Sequence, residues 1–315
     1  MSFSVKRIFD VFQIAVLVYS VYWLSRYIAS ENIINWFAEI NIFIFLLVLA
    51  QRLLPYIFLG YRFSILTRRK IPTPRAVAGE IMCVGFNNIL PARFGEVLKL
   101  FYFRRLSNLP LTKLIAYVFV ERITDVFFLL ALGTVITFHI IPKSYSFMFI
   151  GIMFLQILIL TDRKNILIKL SVFLFKNNFI SLIRIAHNFY YTVRCKVYLK
   201  AVGVSVLMWL MNLIHIFMVC YLFLNMNLPV SNILILFVIV FSAGIFPIPG
   251  GIGVVDAGIF TFLTFYLNYP EHDSLKTAFF LRLFYSIPAI FGMLLTNVEY
   301  IFRCRKKSHI NNSYT

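Results

Sequence analysis

Charge is scarce in this sequence, and negative charge scarcer still. Of its 315 residues 13% are charged, with Asp plus Glu numbering 12 against 30 for Lys plus Arg. Soluble domains carry about 25% charged residues, so an ordinary water-soluble globule is excluded. Cysteine is sparse too: the four present form no CxxC pair and no Cys/His cluster at zinc spacing. Neither a disulfide framework nor a metal site is expected, and no cofactor is implied. The HExxH of zinc proteases and the GxSxG of serine hydrolases are both absent, so no catalytic residue is assigned.

In place of charge there is apolar surface. Hydrophobic residues make up 61% of the chain, and Phe alone contributes 36. The formal net charge of +18 would suggest nucleic acid on a soluble chain. Here the basic residues lie between long apolar runs, where they set cytoplasmic topology and contact anionic inner-leaflet lipids. No nucleic-acid partner is expected; this is a polytopic membrane protein.

A helix needs about 20 mostly apolar residues to cross the hydrocarbon core. Residues 8–29 qualify. Lys6 and Arg7 precede them as in a signal peptide, but no small-x-small cleavage site follows, so they read as a retained first span. Residues 40–60 form the next span, and the loop between holds Glu31 and Glu39 without Lys or Arg. That loop lies outside and the N-terminus inside. Arg62, Arg68, Arg69, Lys70 and Arg75 follow as a cytoplasmic block, and Lys99, Arg104, Arg105 and Lys113 form another. Residues 76–98 therefore start and end on the cytoplasmic side. They also hold Glu80, Asn87, Asn88, Pro91, Arg93, Gly95 and Glu96, too polar for a lipid-facing span. A re-entrant hairpin covered by protein satisfies both constraints.

Residues 114–141 and 147–160 cross out and back to a basic stretch, 162–200, expected as amphipathic helices on the inner leaflet. Residues 201–224 cross outward again. Two short apolar runs, 233–246 and 254–267, flank Pro247-Ile-Pro-Gly-Gly-Ile-Gly253. They read as a second hairpin entering from outside, or as two short spans, since either preserves the parity. Residues 277–300 return to the block Arg303, Arg305, Lys306 and Lys307, leaving both termini cytoplasmic. The expected fold is an all-α polytopic membrane helix bundle of about six spans plus two oppositely oriented re-entrant hairpins. A membrane domain covers 1–302, including the amphipathic segment 162–200, and a basic cytoplasmic tail covers 303–315. Broken helices in corresponding halves point to a transporter site at the midplane.

The polar residues inside the membrane are the candidate site. Each Asp, Arg or Lys at a helix centre costs about 2.5–3.5 kcal/mol on the insertion scale. Glu121, Arg122 and Asp125 lie within one turn; Arg122 and Asp125, three apart, can pair. The trio keeps one surplus negative charge until a further cation or a proton reaches it. Its plain reading is a helix–helix salt bridge. Arg93 offers a planar donor fork suited to phosphate and Glu96 can orient it, the plain reading being a mutual pair. The helix restarting after Gly250 and Gly251 aims N–H groups into the membrane, a seat for an anion, with Asp256 as its bland N-terminal cap. Arg282 needs a carboxylate or a phosphate. Asn212 and His215 read as interhelical hydrogen bonding and stay outside the site.

These motifs carry a resemblance. Asn88-x-x-Pro91-x-Arg93-x-Gly95-Glu96, then Glu121-Arg122-x-x-Asp125, then Pro247-x-Pro249-Gly250-Gly251-x-Gly253-x-x-Asp256 look like those of the lysylphosphatidylglycerol synthase transmembrane, or flippase-like, family. In that family the position of Asp256 is commonly Glu, a departure that keeps the carboxylate. The resemblance implies a bundle in a bacterial or archaeal cytoplasmic (inner) membrane that moves a phospholipid or polyprenyl-linked lipid between leaflets. It covers the membrane part without the soluble aminoacyltransferase, so synthase activity is not implied. The expected headgroup pocket comprises Asn87, Asn88, Arg93, Glu96, Glu121, Arg122, Asp125, Gly250, Gly251, Asp256 and Arg282. An intramembrane enzyme on lipid-linked substrates and a proton-coupled small-anion carrier fit the same charges.

Overall fold

The computed structural model describes residues 33–90, 93–140, 180–193, 196–242, 251 and 253–312. Among them are ten α-helices, two π-helical segments and no strand, an all-α membrane fold. The expected spans at 8–29 and 147–160, and the segment 162–179, lie outside the described residues.

A short helix, α1 (Ile33–Ala38), precedes α2 (Ile42–Leu66). Asn41 starts α2, its Oδ1 accepting the Phe43 and Ile44 N–H groups at 3.0 and 3.3 Å, which satisfies two orphan donors of the first turn. Only 22% of the apolar window of α2 is buried. A soluble core helix would hide that surface; this one presents it to lipid. The helix runs past Gly60 and takes in Arg62, which the charge pattern had put in a cytoplasmic loop. It ends at Leu66, and in the turn that follows Arg68 and Arg69 are both left-handed (φ 53° and 60°), where the Arg69 N–H returns to the Ser64 carbonyl at 2.8 Å and satisfies a terminal acceptor.

The segment expected as the first hairpin is the end of α3 (Thr73–Ile89), a break, and the start of α4 (Phe94–Leu106). Arg93 holds a left-handed φ of 54° at the break. The arms face one another: the Gly95 N–H donates to Asn87 Oδ1 at 2.9 Å, and Lys99 reaches Glu80. A Cβ at Gly95 would strike the Cys83 carbonyl and the Asn87 side chain, so glycine is what lets the arms close.

Next come α5 (Leu111–Ile140), α6 (Ile180–Val193) and α7 (Lys196–Phe217), the last continued by a π-helical segment, Met218–Phe223. Lys196–Phe223 is 28 residues long and apolar enough to cross a membrane. The end of the basic stretch 162–200 thus opens a membrane-length helix instead of lying on the surface. The physical reason is burial: Tyr198 and Ala201 pack into the core with Phe63 and Leu114. Then follow α8 (Val230–Ser242), α9 (Val254–Thr261) with a π-helical continuation Phe262–Tyr266, and α10 (Glu271–Asn312). No helix end falls at residue 302, because α10 runs on to Asn312.

The chain divides into two compact units. One comprises Met1–Leu53, Ile81–Val97 and Leu213–Thr315; the other comprises Leu54–Glu80 and Leu98–Asn212. Aromatic rings fill the first, with Phe223 against Phe280 and Phe284 at centroid distances of 4.8 and 5.1 Å. In the second, Phe63 stacks on Phe103 at 4.4 Å over buried Leu114 and Tyr117.

Candidate functional site

Each unit holds a buried charged centre. In the unit built from Leu54–Glu80 and Leu98–Asn212, the centre is Glu121 on α5. Its Oε1 accepts from Arg62 Nε at 3.2 Å, and its Oε2 from Lys99 Nζ at 3.2 Å. Arg62 also grips Asp125 with both Nη atoms, at 2.6 and 3.3 Å, and reaches Ser205 Oγ at 3.1 Å. Lys99 is shared with both oxygens of Glu80, at 3.1 and 3.2 Å. Arg122 pairs with Asp125 at 3.5 Å, with its side chain 36% exposed. Arg62, Lys99, Glu80 and Glu121 are all 1% exposed or less.

The charges balance: Arg62, Lys99 and Arg122 against Glu80, Glu121 and Asp125. Balance is what makes such a centre tolerable, since burying one ion costs several kcal/mol unless partners and hydrogen bonds compensate. Side chains from α2, α3, α4, α5 and α7 meet there, so the network ties five helices. The surplus negative charge of the Glu121–Asp125 trio is met by Arg62 and Lys99, which pattern reading had counted as topology charges. The blocks on either side of residues 76–98 keep exposed cations without them, at Arg68, Arg69, Lys70, Arg104 and Arg105.

In the unit containing Ile81–Val97 and Leu213–Thr315, the centre is Asp256 at the start of α9. Its Oδ2 accepts the Gly253 N–H at 2.9 Å, while Oδ1 takes Arg282 Nε at 2.7 Å. Arg282 Nη2 donates to the Gly251 carbonyl at 3.2 Å. Both glycines have positive φ, 64° at Gly251 and 84° at Gly253, so the backbone can turn sharply enough to present these groups. A cavity of about 70 Å³ adjoins the pair, lined also by Asn88, Tyr285 and Ser286. That exceeds the roughly 10–15 Å³ one water needs. The Asn88 Nδ2 is buried without a hydrogen-bond partner among the described residues.

Of the expected site residues, Asn88, Asp256 and Arg282 line one cavity, with Gly251 bonded to Arg282. Asn87 holds the hairpin tip, with Arg93 at the break and Glu96 in the first turn of α4. Glu121, Arg122 and Asp125 belong to the Arg62 network. Gly250 lies outside the described residues. Sequence reasoning missed Arg62 and Lys99 as site members, and Ser205 gave no signal at all. It also passed over Arg52, buried in α2 with its guanidinium 3.7 Å from the Tyr285 ring centroid. His215 bonds across helices, to Gln51 Oε1 at 2.9 Å, and Asn212 Nδ2 donates to the Met208 carbonyl.

Lipid-facing helices closed around buried ion pairs define an integral membrane protein of the helical class. The chain belongs to the family described as the lysylphosphatidylglycerol synthase TM region, whose model matches residues 11–292, nearly the whole length. Membership ties it to membrane lipid metabolism or translocation. Comparison with curated proteins and with solved structures finds no match in either.

Proposed function

We propose that the chain translocates a phosphate-bearing lipid, a phospholipid or a polyprenyl-linked intermediate, between the leaflets of a cytoplasmic membrane. Both termini face the cytoplasm, the α3–α4 hairpin re-enters from that side, and the α8–α9 pair enters from the other. The Asn88–Asp256–Arg282 cavity takes the phosphate, with Arg93 and Glu96 at the hairpin tip meeting the headgroup. The Glu121 centre, already neutral, holds its helices in register. The observation that carries this reading is the buried donor of Asn88 beside Arg282, which has no partner among the described residues. A buried donor left unmade costs about 1–3 kcal/mol, which a bound phosphate oxygen recovers.

The test is leaflet exchange of a fluorescent phospholipid by the purified protein in liposomes. Asn88→Ala is expected to slow exchange while leaving thermal stability unchanged or raised, since no described residue loses a bond to the Nδ2 group. The double variant Arg282→Ala, Asp256→Ala removes the pair without stranding a charge, and full exchange by that variant would sink the pocket. Solute uptake or lipid turnover without leaflet exchange would replace translocation by a carrier or an enzyme.

A further inference from the structure

A second cavity is lined by none of the residues discussed so far as ligands. It measures about 280 Å³ and belongs to the unit holding Arg62 and Lys99. That is near the roughly 300 Å³ lower end of small-ligand sites, and well above the 70 Å³ beside Arg282. Its wall comes from four elements: the turn after α2, the first turns of α5, one face of α6 and the start of α7.

The lining has one electrostatic sign. Arg68 and Lys113 bring permanent positive charge, His187 brings an ionisable imidazole, and no carboxylate lines the cavity among the described residues. Lys113 makes no ion pair among the described residues. Asn188 and Tyr191 add hydrogen-bonding groups beside Tyr117. The α6 contributors, His187, Asn188, Tyr191 and Thr192, repeat at helical spacing and so share one face. Arg68 stands in the left-handed region (φ 53°), held there by its N–H to the Ile65 carbonyl at 2.8 Å. Guanidinium and ammonium groups with amide and phenol donors are the chemistry that grips phosphate oxygens.

We propose that this cavity is a second anion site, binding a phosphate group at the mouth of the Arg68 turn. On the topology above it opens to the cytoplasmic leaflet, where the phosphate comes either from an anionic phospholipid or from a soluble phosphate. Nothing in the proposal requires the chain to translocate lipid, so its test measures binding alone.

Native mass spectrometry of the full chain, titrated with phosphatidylglycerol, phosphatidylcholine or inorganic phosphate, gives apparent dissociation constants. Lys113→Glu and Arg68→Glu are expected to weaken binding at least about tenfold, the loss of one charge-assisted contact. Lys113→Arg is expected to retain it. The control is Lys70→Glu, an equal change of charge at an exposed residue that does not line the cavity. Cavity-dependent binding of phosphatidylglycerol identifies a lipid headgroup; cavity-dependent binding of inorganic phosphate identifies a soluble source. Loss of affinity as large in Lys70→Glu as in Lys113→Glu, or no binding of either phosphate, overturns the site.

Discussion

Replacing Arg62 by Met tests the central network most directly. The guanidinium is 1% exposed and makes hydrogen bonds to Glu121, Asp125 and Ser205. Without it Glu121 keeps Lys99 at 3.2 Å, but among the described residues Asp125 keeps only Arg122, at 3.5 Å and partly exposed. Breaking a buried pair from one side costs about 3–5 kcal/mol, because a carboxylate stays buried without its counter-ion. Removing the carboxylate as well, in Arg62→Met with Asp125→Leu, leaves Lys99 and Arg122 against Glu80 and Glu121. Most of the loss is then expected to return, the double variant lying within about 1–2 kcal/mol of the parent, since an apolar replacement of a buried pair is often neutral. The assay is reversible denaturant unfolding in detergent micelles, run as a double-mutant cycle. An Arg62→Met variant within about 1 kcal/mol of the parent would show that water or lipid headgroups already solvate Asp125. A double variant no better than the single would show that the two side chains do not act as a pair.

Gly95→Ala drives a methyl into the Cys83 carbonyl and Asn87; overpacking of this kind costs about 1–3 kcal/mol, visible as lower detergent-extracted yield and a lower unfolding midpoint. Lys276 lies 2.7 Å from Glu39 and holds that carboxyl below its ordinary range. Its folded value is depressed, so the pair's contribution is present above the unfolded carboxylate value and lost as pH falls through the folded one. Lys276→Ala is therefore expected to narrow the stability difference between pH 7 and pH 3, with no change between pH 6 and 8. Cysteines introduced at Lys70 and Arg105 are expected to resist an impermeant thiol reagent in intact cells and to react in inverted vesicles; labelling from outside would overturn the proposed topology.

Much of the fold is legible along the chain because the bilayer imposes a one-dimensional rule. Apolar length decides what can cross, as in Ile42–Leu66 and Lys196–Phe223, and Gly and Pro decide where helices stop. The helix break before Phe94 and the helix start at Val254 follow local chemistry at Pro91 and at the Gly250–Gly253 run. The need for a cation beside Glu121 and Asp125 was equally readable, from the imbalance of two carboxylates against Arg122 within one turn.

Which cation answers that need was not. Arg62 is 59 residues from Glu121, 63 from Asp125 and 143 from Ser205. In sequence it is one more basic residue after an apolar run, indistinguishable from Arg68, which is exposed. Lys99 and Arg104 present the same ambiguity, one fully buried and one exposed on the same helix. The sequence by itself determined that this is a helical membrane protein with a broken helix, a carboxylate cluster in need of positive charge, and a Pro-Gly-rich restart before Asp256. Only the tertiary structure decided that Arg62 and Lys99 are the neutralising partners and that Asp256 spends its two oxygens on Gly253 and Arg282. The physical reason is that hydropathy and capping act between neighbours along the chain, whereas the partner of a buried charge is chosen by distance in space.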